Sequence, residues 1–185
     1  MKKLLAVILA ATMLLSFAAC GKNAETNDGS DISTEEPEVT APAGTPEEII
    51  DAVYAEKSVN LNLMTTAVDL EDEYAPKYSL GLDDVSKVKE AAVSEPMMGS
   101  QAYSLVVVRV NDAADAEDVA NEILNGIDQR KWICVEADTL KVMTKGDIVL
   151  LFMVDSGFAD TVTVDEIEAA FTAVCGGSLD LVLSK

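Results

Sequence analysis

The chain has 185 residues, of which 33 are Asp or Glu and 13 are Lys or Arg, so its formal net charge at pH 7 is −20. This charge argues against a nucleic-acid-binding protein, because such proteins need clustered cations to replace the counterions of phosphate. The chain contains no His, the most common general base and transition-metal ligand, and the sequence offers no catalytic, metal-binding or cofactor-binding constellation.

The N-terminal segment predicts export and lipidation. Met1-Lys2-Lys3 is a basic start, Leu4–Phe17 is an apolar core of signal-peptide length, and Ala18-Ala19-Cys20-Gly21 follows. This last stretch resembles the lipobox of bacterial lipoproteins, in which the Cys thiol receives a diacylglyceryl group and cleavage falls just before the Cys. We therefore predict a signal peptide over 1–19 and lipidation of Cys20. The alternative is an ordinary secretory signal with an incidental Cys.

Residues 20–44 predict a lipidated Cys followed by a disordered acidic tether. The segment is rich in Glu, Asp, Thr, Asn, Pro and Ala and has almost no large apolar residues. Such a stretch cannot bury enough surface to offset the entropy lost on ordering. Two acyl chains give a stable anchor, so we expect the chain to be held at the cell membrane on its extracytoplasmic side.

A single globular domain is predicted over 45–185. Thr45-Pro46-Glu47-Glu48 combines a capping box with a first-turn Pro, which indicates a helix that ends near Lys57. Residues 58–82 fit either a second helix or an irregular cover. Val85–Ser94 has mixed alternation, which is typical of a modest strand at a sheet edge.

The middle of the domain gives stronger patterns. Tyr103–Val110 is dense in β-branched residues and apolar on both faces, which predicts a central strand. Asp115–Lys131 has helical spacing of its apolar residues. Thr139–Thr144 and Ile148–Val154 flank Lys145-Gly146-Asp147, which predicts a hairpin.

The last elements complete the predicted fold. Thr163-Val164-Asp165-Glu166 is a second capping box, Gly176-Gly177 ends its helix, and Leu179–Leu183 forms a short strand. A strand-strand-helix unit thus occurs twice. The simplest packing is an α+β two-layer sandwich, with an antiparallel sheet of four or five strands and helices on one face.

The region from about Leu70 to Phe171 resembles the Firmicutes lipoprotein family catalogued as domain of unknown function 4358. The stretches that carry the resemblance are Tyr78–Asp83, Pro96–Met98, Ala102–Arg109, the 116–130 helix and Gly146–Leu150. The family implies a Gram-positive surface lipoprotein and supplies no activity or site residues. Val135–Asp138 departs from the family, where an aromatic residue and Pro are usual.

Two groups of residues outside the anchor have candidate roles. Met and Trp are residue types that favour interfaces, so Met97, Met98 and Trp132 predict a contact surface. The alternative, which is more common for such residues, is that they complete the edge of a core. Cys134 and Cys175 fit either a disulfide or two buried free thiols.

Two functions remain open at this stage. The first is a non-enzymatic binding or interaction module on the cell surface, whose partner is a protein or a wall component. It predicts an exposed apolar or grooved patch on the domain. The second is a small-ligand or cation-binding lipoprotein accessory to a transporter, suggested by the acidic surface. An enzyme is the weakest option, because a catalytic thiol without His lacks its usual base.

Overall fold

A computed structural model describes residues 41–185, so the predicted signal peptide and Cys20 lie outside the described residues. The described chain forms four α-helices and six β-strands, and the two predicted capping boxes are both present. The helices are α1 (Pro46–Glu56), α2 (Ala75–Leu80), α3 (Ala116–Gly126) and α4 (Val164–Val174), and the strands are β1 (Leu63–Ala67), β2 (Val88–Pro96), β3 (Tyr103–Val110), β4 (Thr139–Lys145), β5 (Ile148–Val154) and β6 (Leu181–Ser184).

All six strands belong to one sheet in the order β1-β2-β3-β5-β4-β6, and every neighbouring pair is antiparallel. The predicted α+β class and antiparallel sheet are therefore confirmed. The sheet has six strands instead of four or five, because residues 63–67 of the undecided segment form β1. β1 pairs with the outer side of β2, so β2 is not the edge strand that its sequence predicted.

Helices cover both faces of the sheet, so the prediction of helices on one face is wrong. Val106 and Val108 of β3 belong to the core that includes α3, whereas Leu105 and Val107 belong to the core that includes α1 and α4. The physical reason lies in β3 and β5, which are apolar at consecutive positions and would expose one face to water in a two-layer fold. We call the face of the sheet that α1 and α4 cover the α1/α4 face. The opposite face, against which Leu80 of α2 and the apolar residues of α3 pack, is the α2/α3 face.

α3 ends at Gly126, earlier than the predicted Lys131, because of a close backbone contact with the end of α2. A Cβ on Gly126 would lie 2.1 Å from the carbonyl oxygen of Gly81. Gly81 itself has a φ of 75°, a left-handed conformation that ends α2 and that other residues rarely adopt. This contact between two glycines holds the short helix α2 against α3.

The two ends of the sheet differ in which parts of the chain they contact. At one end, which we call the entry end, the β4–β5 turn at Gly146 and Asp147 lies beside Arg109 near the end of β3. The Arg109 side chain donates hydrogen bonds to the carbonyl oxygens of Pro42 (3.1 Å) and Gly44 (2.8 Å). The chain therefore enters the domain here. The opposite, distal end carries the loop from Met97 to Ala102 between β2 and β3.

Candidate interaction surface

The distal end exposes three large apolar side chains on two neighbouring loops. Met97, Met98 and Ile133 are 65%, 61% and 74% exposed. The backbone N–H of Ile133 donates to the carbonyl oxygen of Gly99 at 3.1 Å, which joins the two loops. Grouped apolar exposure of this kind marks interaction sites more often than isolated apolar residues do. We call Met97, Met98 and Ile133 the distal apolar patch.

The structure separates the three residues of the predicted contact surface. Met97 and Met98 are exposed, but Trp132 is buried and belongs to the core of the α2/α3 face. The sequence did not single out Ile133, although it follows Trp132 directly. Trp132 therefore belongs mainly to the core, whereas its neighbour Ile133 in the same loop is exposed.

A buried ion pair lies under this end of the α2/α3 face. The Lys131 side chain is 2% exposed, and its Nζ lies 2.6 Å from Oε1 of Glu95 on β2. Lys131 Nζ also donates to the carbonyl oxygen of Tyr78 (3.3 Å) and to Oγ of Ser104 (3.4 Å). Oε1 of Glu95 is buried, and within residues 41–185 its close polar contact is the one with the Lys131 ammonium group.

Two aromatic rings complete the surroundings of the Lys131 ammonium group. Nζ lies 4.8 Å from the centre of the Tyr78 ring and 5.4 Å from that of Trp132, both within cation–π range. Burial lowers the pKa of Lys131, and the carboxylate of Glu95 opposes this shift. Burial raises the pKa of Tyr78, with a smaller effect of Glu95 in the same direction. The Lys131 ammonium group therefore lies between the carboxylate of Glu95 and the rings of Tyr78 and Trp132.

An open groove of about 500 Å³ lies next to Tyr78, between α2 and the outer two strands. Thr66 and Val93 lie opposite each other on β1 and β2 and line it together with Tyr78. Tyr74 and Asp72, from the segment that leads into α2, also line it. The groove therefore has both aromatic and acidic walls.

The acidic side of the groove is ordered by backbone contacts. Asp72 accepts hydrogen bonds from the backbone N–H groups of Tyr74 (2.8 Å) and Ala75 (2.7 Å), and both contacts lower the pKa of its carboxyl group. Asp69 accepts from the N–H of Glu71 at 3.0 Å. The segment 69–73 contains four acidic residues and no basic one, so this rim is strongly negative.

The other face of the distal end contains a chain of three hydroxyl groups. Tyr54 Oη donates to Oγ of Ser94 at 2.8 Å and lies 3.0 Å from Oη of Tyr103. Burial raises the pKa of both tyrosines. These contacts join α1 to the distal ends of β2 and β3.

The remaining candidate residues do not form a site together. Cys134 is exposed and Cys175 is buried, and both are free thiols, so no disulfide joins them. Within residues 41–185, no group of three or more Cys, Asp or Glu side chains is arranged to hold a metal ion. None of the helices in that range combines the length and apolar character that crossing a bilayer requires.

Comparisons with models of protein families, with curated proteins and with solved structures give no match to this chain.

Proposed function

We propose that the protein is a membrane-anchored extracytoplasmic lipoprotein whose folded domain is a non-enzymatic interaction module for a partner protein. The anchor is supported by the sequence: a basic start, an apolar core and the Ala-Ala-Cys-Gly stretch that includes Cys20. The resemblance to the Firmicutes lipoprotein family supports the same location.

The proposal of an interaction module is supported by the position of the distal apolar patch relative to the point where the chain enters the domain. Arg109 and Ser104 lie near opposite ends of β3, and a strand rises about 3.3 Å per residue, which separates them by roughly 17 Å. A tether that joins the domain at the Arg109 end leaves Met97, Met98 and Ile133 free of the attachment point. A partner can therefore bind the patch while the anchor stays in place.

The anchor is tested by metabolic labelling of the full-length chain with a radioactive fatty acid in a Gram-positive host. We expect the wild-type protein to carry label and to fractionate with membranes. Cys20→Ala should lose both properties, because it lacks the acceptor thiol. Cys134→Ala is the matched control, since it removes an exposed thiol elsewhere, and it should keep both. Label on the Cys20→Ala chain would contradict lipidation at this residue.

The interaction is tested by photo-crosslinking on intact cells of the source bacterium. A photoreactive amino acid at position 98 should give one discrete protein adduct, and Met97→Asp in the same chain should abolish it, because a charge would enter an apolar contact. Position 182 is the control, because Val182 is also exposed, at 40%, but lies on β6 at the far edge of the sheet. Equal adducts at both positions, or adducts that survive Met97→Asp, would refute a specific partner at the patch.

A further inference from the structure

The outer edge of β1 is open to another strand. β1 pairs only with β2, and no other part of residues 41–185 pairs with its outer side. The N–H of Val68 donates to the carbonyl of Ala91 (2.8 Å), and that of Met97 donates to the carbonyl of Asn62 (3.1 Å). Even-numbered residues of this stretch therefore direct their backbone groups towards β2. By alternation, Thr65 and Ala67 direct theirs outwards.

The residues of β1 do nothing to block strand addition. Edge strands are commonly protected by Lys, Pro or inward-pointing charges, and the sequence Leu63-Met64-Thr65-Thr66-Ala67 contains none of these. The outward N–H and C=O groups of Thr65 and Ala67 thus form a template on which an extended peptide can make main-chain hydrogen bonds.

The groove beside β1 supplies the side-chain selectivity that such a template needs. Side chains of an added strand alternate between faces, so every second one would lie beside Thr66 and over the groove. There it would meet Tyr74 and Tyr78, which are 73% and 47% exposed. A Lys or Arg can lay its aliphatic stem along aromatic rings while its charged end reaches a carboxylate, here that of Asp69 or Asp72.

The charge of the chain distinguishes two candidate partners for the β1 edge, a second copy of this chain and a basic segment of another protein. A second copy of the chain would bring another formal charge of −20 and a second acidic 69–73 segment towards the first. Like charges oppose such an association. A basic segment is instead attracted by the same field.

We propose that the outer edge of β1 and the groove lined by Tyr74, Tyr78, Asp69 and Asp72 bind an extended basic segment of a partner protein, which adds to the sheet as a further strand. The proposal rests on the proposed function, because it assigns that partner a conformation and a charge. The distal apolar patch adjoins this edge: Met97, which belongs to the patch, is hydrogen-bonded to Asn62 just before β1. One partner can therefore contact both.

The test measures binding of a short, capped, labelled peptide of alternating Lys and Thr to the full-length protein in detergent micelles, by fluorescence anisotropy. A peptide with Glu in place of Lys is the charge control. A peptide with alternate backbone N–H groups methylated is the strand control, because it cannot pair. We expect only the Lys peptide to bind, more weakly at high salt, and to slow hydrogen exchange of the Thr65 and Ala67 amides.

Variants separate the groove from general electrostatics. Asp69→Asn with Asp72→Asn keeps oxygen acceptors for the backbone contacts and removes two charges, and it should weaken binding by about tenfold. Glu117→Gln with Glu122→Gln removes two exposed charges from α3 and should have little effect. Thr65→Pro removes an outward N–H, which leaves the β2 pairing intact, and should abolish binding. Thermal unfolding shows whether each variant is folded.

Equal binding of the Lys and Glu peptides, undiminished binding of the methylated peptide, or equal losses in the two double variants would overturn the proposal. If the peptide fails but the adduct at position 98 depends on Met97, only the β1 proposal is lost. If the peptide binds but no specific adduct forms, the distal patch is refuted as the partner site. Failure of both refutes the interaction module itself.

Discussion

The two ends of the sheet each contain a buried cation, and the two cations have different surroundings. Arg109 at the entry end is 11% exposed, contacts the carboxylates of Asp147 and Glu90, and donates to two backbone carbonyls. Lys131 at the distal end is 2% exposed and contacts one carboxylate and two aromatic rings. Arg109 donates to two backbone carbonyls of the entry segment, whereas Lys131 contacts mainly side chains and one backbone carbonyl, that of Tyr78. The entry end therefore holds the N-terminal segment of the domain, whereas the distal end holds side chains that lie next to exposed loops.

Removing the cation at the distal end should have the largest effect on stability. Lys131→Met leaves the carboxylate of Glu95 without its counter-charge in a largely buried position, and breaking such a pair costs about 3 kcal/mol. Urea unfolding of the full-length protein measures this loss. Lys131→Met combined with Glu95→Leu should recover most of it, because neither charge then remains. A double variant as unstable as the sum of the singles would mean that the pair is not coupled.

The same change at the entry end should cost less. In Arg109→Met, Asp147 and Glu90 keep their contact with water, since their side chains are 29% and 38% exposed. We expect a loss of about 2 kcal/mol from the missing charged hydrogen bonds. The change should also speed protease cleavage near Pro42 and Gly44, because their carbonyls lose their partner, whereas Lys131→Met should not. Unchanged cleavage at 42–44 would show that Arg109 does not fix the entry segment.

Raising the pH into the alkaline range should change the stability that Lys131 contributes to the folded protein. Its pKa is lowered in the folded protein from the ordinary value of 10.5, so the unfolded chain binds more protons below that pH. Stability contributed by this residue therefore rises with pH towards 10.5 and is lowest near neutrality. The unfolding free energy of the wild type minus that of Lys131→Met/Glu95→Gln should increase as the pH rises towards 10.5. A flat or falling difference would contradict the direction.

The smallest effect on stability is expected at the distal apolar patch itself. Met97→Ser and Met98→Ser alter exposed side chains that contribute little to the core, so the unfolding free energy should change by no more than about 0.5 kcal/mol. A photoreactive amino acid placed at position 133 should give an adduct in the otherwise unchanged chain and none in either variant. A large loss of stability would mean that the two methionines are structural and would remove the basis for the surface.

Local signals predicted most elements, and long-range contacts account for the rest. The capping boxes at Thr45 and Thr163, the hairpin around Gly146 and the central strand β3 all depend on neighbouring residues, and the structure confirms them. β1 was not predicted, because its short sequence becomes a strand only by pairing with β2. α2 contains Pro and only six residues, and the contact of Gly81 with Gly126 holds it in place.

The candidate surface was predictable only in part. Met97 and Met98 are exposed, as expected for a loop marked by Pro96 and Gly99, and their role in a contact surface stays a prediction. The burial of Lys131 gives no sequence signal, since lysine is among the most exposed residue types. Its burial requires Glu95 and Tyr78, which come from distant parts of the chain and meet only after the sheet and α2 have formed.

The two thiols of the domain, Cys134 and Cys175, differ in burial, so their reaction rates with a thiol reagent can report local opening of the domain. Cys134 should react at once with a thiol reagent, whereas Cys175, 4% exposed and with its pKa raised by burial to about 11, should react only when the end of α4 opens. The slow phase therefore measures how often that region opens without any engineered label. If the anchor is attached, the thioether at Cys20 contributes nothing, so the amplitude of the fast phase also reports what fraction of the molecules has been lipidated.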